Sequence, residues 1–65
     1  MTGASDDTGR EIYFEFTAIG SSVKVVAIDA ATGVEVTVLG PKSAAKSDLQ
    51  QLALAKLKAR LARDA

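Results

Sequence analysis

The chain has 65 residues, with eight basic and eight acidic side chains and with neither cysteine nor histidine. This length allows one small domain, and the two missing residue types exclude disulfides, most structural zinc sites and catalytic pairs built on histidine. No apolar run approaches the length of a membrane span, and the N-terminus is polar and acidic rather than patterned as a signal peptide, so we expect a cytoplasmic protein.

The charges are divided unevenly along the chain. Residues 1–39 contain six acidic and two basic side chains, whereas residues 40–65 contain two acidic and six basic ones. Two halves of opposite charge attract each other within a chain or between chains, but they do not make the whole molecule a binder of polyanions.

The first ten residues, MTGASDDTGR, are small and polar and offer nothing to bury. Such a composition is typical of a disordered tail. We therefore expect a tail at residues 1–10 and a single domain at residues 11–65.

The next segment predicts two strands. From residue 11 to 18 the sequence EIYFEFTA alternates, so that the aromatic side chains Phe14 and Phe16 share one face. A turn signal, Gly-Ser-Ser, leads to a second strand over residues 23–29, VKVVAID. This strand is apolar on both faces near its middle, so we place it centrally in the sheet or against a second layer.

A second turn and a third strand follow. Asp29 is interpreted as a turn-forming residue, and Gly33 is expected to adopt a positive φ. Residues 34–39, VEVTVL, alternate again, and Gly40-Pro41 ends the strand because proline cannot donate a ladder hydrogen bond. Three strands with short links predict an antiparallel meander.

The last third is rich in strong helix formers and predicts a helix from about residue 44 or 47 to 63. Ser47 and Gln50 fit a capping box, and Ser43 could begin the helix one turn earlier. The side chains expected to face the sheet recur at i, i+4, i+8 and i+12 from Leu49, and Leu52 lies about 60° to the side of that stripe. The fold class is therefore α+β: a three-stranded antiparallel β-meander followed by one C-terminal helix, βββα.

A chain this short buries only about 60% of the surface that its unfolded form exposes. Because one helix has to cover a valine- and phenylalanine-rich sheet, we predict a homodimer, whose sheets join at an edge or whose strands or helices are exchanged. Another protein is a possible further partner. The side chains expected in the core or the dimer interface are Phe14, Phe16, Val25, Val36, Val38, Leu49, Leu52, Leu57 and Leu61.

Residues 40–47, GPKSAAKS, match the phosphate-loop pattern G-x-x-x-x-G-K-[ST] except at Ala45. A Cβ at this position hinders the tight wrap, Pro41 removes one N–H donor, and the chain lacks the parallel sheet and second acidic strand of a magnesium–nucleotide site. We interpret the segment as a strand exit followed by a helix start.

The order of elements also resembles the C-terminal part of a double-stranded-RNA-binding domain, which carries a lysine cluster at its helix entry. Lys42 and Lys46 match that placement, but the family's N-terminal helix is missing. Weak nucleic-acid binding through these lysines is therefore an alternative to the simpler interpretation of solvated lysines. Lys56, Arg60 and Arg63 could add a basic strip, although a solvated helix face is the commoner outcome.

Catalysis requires a nucleophile, a base or a metal. The local serine–lysine neighbours are Ser43 or Ser47 with Lys46, and helix capping and solvation account for them. The acidic residues form no set spaced as metal ligands. We expect no enzyme activity, no catalytic residue, no cofactor and no metal.

From Glu11 to Arg63 the chain resembles an uncharacterised family of short alphaproteobacterial proteins of the βββα kind. The matching stretches are EIYFEFTAIGSSVKVVAIDAATGVEV and GPKSAAKSDLQQLALAKLKARL. The resemblance implies a bacterial cytoplasmic protein without an assigned active site. The function expected from the sequence is a non-catalytic protein-interaction or structural accessory module.

Overall fold

The computed structural model describes residues 2–5, for the backbone, and residues 10–64. These residues form four strands, β1 (Thr2–Ser5), β2 (Glu11–Ile19), β3 (Ser22–Asp29) and β4 (Glu35–Pro41), and one helix, α1 (Lys46–Asp64). The strands make one antiparallel sheet in the order β1-β2-β3-β4, and the helix follows the last strand. The predicted β-meander with a C-terminal helix is thereby confirmed.

The N-terminal segment differs from the expected disordered tail. Residues 2–5 form strand β1, in which Thr2 lies opposite Phe14 and Ser5 opposite Glu11, and Arg10 is half-buried. The tail prediction is corrected for these residues, while residues 1 and 6–9 lie outside the described part of the chain. Backbone pairing at an open sheet edge requires no apolar side chains, which is why a polar composition did not reveal the strand.

Two glycines make the hairpin turns between the central strands possible. Gly20 and Ser21 join β2 to β3, with Gly20 at a φ of +57°. A positive φ at the first of two turn residues is typical of a type II′ hairpin. Gly33, in the turn before β4, has a φ of +76°, which confirms the conformation predicted for it.

The core lies between the sheet and α1, which packs on β3 and β4. The strands place alternate side chains on this inner face, and three positions of the helix cover them, as the sequence period predicts. Of the residues predicted for the core, Phe16, Val38 and Leu61 are partly buried and pack against it. The buried apolar side chains are Ile12, Phe14, Val25, Ala27, Val36, Leu49, Ala53 and Leu57.

Leu52 is the exception among the predicted core residues, since it is 59% exposed. It lies three residues after Leu49, which rotates it about 60° away from the stripe that faces the sheet. One helix on a short sheet buries one stripe, so Leu52 has no role in the core of this chain.

The helix begins at Lys46, between the two predicted starting points, and is capped differently than predicted. The carbonyl oxygen of Ala45 accepts hydrogen bonds from the N–H groups of Asp48 at 3.1 Å and Leu49 at 3.2 Å, so Ala45 occupies the N-cap position. Ser47, the predicted N-cap, instead lies in the first turn and is exposed. The capping-box prediction is therefore wrong, because a serine–glutamine spacing also occurs within a first helical turn.

Candidate functional site

The side of the sheet away from α1 carries no covering layer in the described structure. We call this surface the outer sheet face. Tyr13, Val26 and Ile28 lie side by side near its middle and are half-buried by their neighbours, whereas Leu39 and Ile19 are 67% and 51% exposed. The remaining described side chains of β2, β3 and β4 on this face are Glu11, Glu15, Thr17, Ser22, Lys24, Glu35, Thr37 and Pro41.

The Tyr13 side chain is oriented by a hydrogen bond to a residue of its own strand. Its hydroxyl group donates a hydrogen bond of 2.6 Å to Oε1 of Glu11. This hydrogen bond and the negative charge of Glu11 raise the pKa of the Tyr13 phenol above its usual value, because ionisation would remove the donor and place two negative charges together.

The outer edge of β4 is defined by the hydrogen-bond register. Val34 accepts a bond from the N–H of Asp29 at 2.9 Å, and Lys42 donates one to Ser21 at 3.0 Å. Since hydrogen-bonded pairs alternate along an antiparallel ladder, residues 36, 38 and 40 bond to β3, and residues 35, 37 and 39 direct their backbone groups away from it. Pro41 also falls on an outward position, which explains why β4 can include it.

Lys56 partly covers this edge. Its Nζ donates a hydrogen bond of 2.9 Å to the carbonyl oxygen of Thr37. A lysine at an edge strand is a known means of blunting unwanted strand pairing. The N–H groups of residues 37 and 39 have no such cover among the contacts of the described residues.

Beside this edge, β4 and the second half of α1 enclose a cleft of about 280 Å³. It is lined by Val36, Lys56, Ala59, Arg60 and Arg63, and we call it the β4 cleft. Arg60 also bonds to Asp64 at 3.0 Å, in a pair whose side chains are both more than 40% exposed. The interaction energy of a solvent-exposed ion pair is small, so Asp64 only weakly offsets the positive charge of Arg60 and the cleft remains basic.

Lys42 and Lys46 lie at the exit of β4 and the first residue of α1, and both are exposed. The Nζ of Lys46 is 5.8 Å from the centre of the Phe16 ring, a distance typical of a cation–π contact. The N–H of Ala44 donates to the carbonyl of Pro41 at 3.0 Å. With the helix N-terminus bonded as described above, this segment forms a strand exit and helix start rather than a ring of N–H donors around an anion.

Asp29 is a charged residue whose side chain is fully buried. Its Oδ2 accepts hydrogen bonds from the Thr32 hydroxyl at 2.6 Å, from the Thr32 N–H at 3.2 Å and from Nη1 of Arg10 at 2.8 Å. Its Oδ1 is buried and accepts no hydrogen bond from the described residues. The interpretation of Asp29 as a turn former therefore agrees with the Thr32 contacts, and the ion pair is an additional feature.

The Thr32 hydroxyl makes the largest contribution to lowering the pKa of Asp29 below its usual value. Burial acts in the opposite direction, while the Thr32 N–H and the Arg10 guanidinium lower the pKa further. The carboxylate thus connects three parts of the fold through hydrogen bonds: the residue before β2, the end of β3 and the turn after β3.

The residues singled out from the sequence are only partly brought together. Lys42 and Lys46 lie at one end of α1, whereas the predicted basic strip of Lys56, Arg60 and Arg63 lines the β4 cleft near the other end. Sequence reasoning missed the open edge beside that strip. The signal for it was available in the alternation of β4 together with Pro41, which requires an edge position.

The described residues contain no group of three or more acidic side chains placed to hold a metal ion. Within the same ranges, no helix has the length and apolar character needed to cross a bilayer. The surfaces that remain for function are the outer sheet face, the β4 edge with its cleft, and the two lysines at the helix start.

Comparisons with known proteins give one match. A family profile described as Domain of unknown function (DUF6898) matches residues 9–64. No curated protein and no solved structure matches the chain. The match includes three of the four strands and the whole of α1, and the chain therefore belongs to the DUF6898 family.

Proposed function

We propose that this chain is a non-catalytic protein-interaction module and that it forms a homodimer through the outer sheet face. The observation that carries the proposal is the group of apolar side chains on a sheet face that the helix leaves uncovered. Tyr13, Val26, Ile28 and Leu39 lie on three adjacent strands there. Apolar side chains gathered on an uncovered sheet face, with polar side chains around them, are characteristic of an interaction site in a small domain.

The charges on the same face support a second copy as the occupant. Glu11 and Glu35 lie at one end of the face and Lys24 lies towards the other. The cross-strand neighbours Glu15, Val26 and Thr37 lie between them. When two such faces stack with their strands antiparallel, the acidic end of each lies over the basic end of the other. Such self-complementarity is what a two-fold symmetric interface requires.

This geometry differs from the edge-joined and exchanged dimers expected from the sequence. Lys56 and Pro41 disfavour symmetric pairing of two β4 edges, and a core closed by its own helix removes the need for exchange. A face-to-face dimer leaves both features unchanged and covers the apolar surface that a single chain exposes.

The test is the substitution Val26→Lys, examined by light scattering over a micromolar concentration series. In the monomer the new lysine lies opposite Glu15, so the fold is expected to persist with unchanged far-UV circular dichroism. In the dimer the same lysine would place a charged side chain inside the apolar interface, where its removal from water costs more than pairing with Glu15 returns, so the mass should fall to that of one chain. The matched control is Leu52→Lys, which changes an exposed leucine on the helix and should leave the dimer intact.

Charge exchange tests the orientation of the two sheets. Lys24→Glu and Glu35→Lys should each weaken the dimer, and the two substitutions together should restore it. A wild-type chain that is monomeric at all concentrations, or a dimer that Leu52→Lys dissociates and Val26→Lys does not, would show that this face is not the interface.

A second candidate function is weak, sequence-nonspecific nucleic-acid binding. The observation in its favour is the exposure of Lys42 and Lys46 at the helix start. Gel retardation of RNA and DNA at low salt tests it, with Lys42→Gln/Lys46→Gln as the comparison. Binding should weaken steeply as salt rises, and an absence of retardation at low ionic strength would eliminate this candidate.

The alphaproteobacterial origin and the cytoplasmic location remain predictions. They rest on the family resemblance and on the polar N-terminal sequence. Fractionation of the native cell, followed by detection of the chain, tests the location.

A further inference from the structure

We propose that the β4 edge and the β4 cleft together bind an extended acidic segment of a partner protein, which adds to the sheet as a fifth strand. Three observations support this: outward backbone groups on β4, an adjacent row of cations on α1, and a cleft between them. Strand addition to an open edge supplies affinity through main-chain hydrogen bonds, and the side chains supply specificity.

The backbone of β4 provides the first part of the site. Residues 37 and 39 direct N–H groups away from β3, and Thr37 also presents its carbonyl oxygen, which Lys56 now occupies at 2.9 Å. An incoming strand would donate its own N–H to that oxygen. Lys56 would then be released to bind a carboxylate, so no buried hydrogen-bonding group would lose its partner.

The spacing of the cations provides the second part. α1 runs antiparallel to β4, since Leu49 packs near Gly40, Lys56 bonds to Thr37, and Arg60 lines the cleft beside Val36. Lys56 and Arg60 are four residues apart on the helix, a rise of about 6 Å. Alternate side chains of a strand are about 6.7 Å apart, so carboxylates at every second residue match the cations in register.

The negative charge of Glu35, on the other side of the β4 edge, restricts which residues of the bound segment can be acidic. Glu35 is exposed on the outer sheet face, so an acidic side chain on that side of the added strand would be repelled. The segment recognised would therefore have acidic residues at alternate positions and neutral or basic ones between them. This chemistry favours a protein strand over a nucleic acid, because evenly charged phosphates do not alternate in this way.

The experiment uses fluorescence anisotropy with a labelled ten-residue peptide in which glutamate and threonine alternate. A peptide of the same composition, with five glutamates followed by five threonines, is the comparison. The alternating peptide is expected to bind at least tenfold more tightly. Equal affinity for the two peptides would overturn the proposal, since it would indicate charge attraction without register.

A variant pair tests the location. Lys56→Gln/Arg60→Gln should weaken binding of the alternating peptide by at least tenfold. Lys46→Gln/Lys58→Gln removes the same charge from exposed positions outside the cleft and should change binding less than threefold. Equal losses in the two double variants would contradict a site at the β4 cleft.

Backbone pairing is tested with two peptides that are N-methylated on alternate residues. In an edge strand one set of amides faces β4 and the other faces solvent, so one peptide should lose binding and the other should retain it. Retained binding by both peptides, or displacement of the alternating peptide by a single-stranded oligonucleotide of equal charge at equal concentration, would overturn the proposal. Because Val26 lies on β3 and outside the β4 cleft, Val26→Lys should bind the peptide as the wild type does, which separates this result from the dimer test.

Discussion

Replacing Asp29 by asparagine tests whether the buried charge clamps the fold. The Oδ2 of Asp29 accepts two short hydrogen bonds, from Thr32 Oγ1 at 2.6 Å and Arg10 Nη1 at 2.8 Å. A hydrogen bond to a charged group contributes about 1.5–3 kcal/mol, and a neutral one contributes about 0.5–1.5 kcal/mol. Neutralising the acceptor should therefore cost about 1 kcal/mol per bond, or about 2 kcal/mol in total.

That loss is large for this chain. A domain of this size has a free energy of unfolding of about 3–10 kcal/mol, so Asp29→Asn should remove a substantial part of it. With a urea dependence of about 1 kcal/mol per molar, the unfolding midpoint followed by circular dichroism should fall by about 2 M. Asp64→Asn is the matched control, because that carboxylate pairs with Arg60 at the exposed surface and should change stability by less than about 0.5 kcal/mol.

The pH dependence of the stability difference between wild type and Asp29→Asn shows whether the charge of Asp29 is its cause. The pKa of Asp29 is lowered in the folded state, chiefly by the Thr32 hydroxyl, so its stabilising contribution is complete above the unfolded pKa of about 3.9. This contribution is lost as pH falls through the folded pKa. The difference between wild type and Asp29→Asn should therefore shrink below about pH 4, and a difference that is absent at pH 7 or unchanged at pH 2 would refute the reasoning.

Three further predictions concern packing and titration. Gly40→Ala should destabilise the fold by about 1–3 kcal/mol in urea denaturation. The reason is that a Cβ at this position would overlap the end of the buried Leu49 side chain. Unchanged stability would mean that Leu49 repacks freely. Tyr13 should ionise above the usual pKa of a phenol in an ultraviolet titration, and Glu11→Gln should move the pKa back down; an unaltered curve would exclude the hydrogen bond in solution. Leu57→Asp places an unpaired carboxylate in the core, so circular dichroism should show an unfolded chain at every protein concentration. A folded monomer would show that Leu57 belongs to an interface instead.

The parts of the fold that follow from side-chain periodicity could be predicted from the sequence. Alternation placed Phe14, Val25 and Val36 on one face of the sheet, and the helical period placed Leu49 and Leu57 against them. These patterns are reliable because burial of apolar side chains determines which face of a strand or helix is turned inward.

Features that depend on backbone pairing or on distant partners could not be predicted in this way. Strand β1 has a polar sequence and is held by its register with β2. The pair of Arg10 and Asp29 joins residues 19 positions apart, and nothing in the local pattern of either residue indicates the other. The cleft likewise required knowledge of where α1 crosses β4, although the i, i+4, i+7 spacing of its cations was visible in the sequence.

The uneven division of charge along the sequence has a consequence in the fold that the sequence alone did not reveal. Each of the two ion pairs between described residues joins side chains of the same half of the chain. Arg10 pairs with Asp29 in the acidic half, and Arg60 pairs with Asp64 in the basic half. The acidic half therefore does not neutralise the basic half through these contacts. Instead, Glu15 and Glu35 lie on the outer sheet face and the cations of the β4 cleft lie on the helix layer.

Because the sheet separates these two layers, their charges remain available to other molecules. A surface that combines apolar side chains with charges of both signs suits a second copy of itself, whereas an open strand edge beside a row of cations suits an acidic strand. The same helix placement accounts for both surfaces: by covering one face of the sheet, α1 leaves the other face open, and by crossing β4 it brings its cations to the edge. A substitution that shifted α1 towards β2 should therefore impair peptide binding at the β4 edge while leaving the outer sheet face able to dimerise.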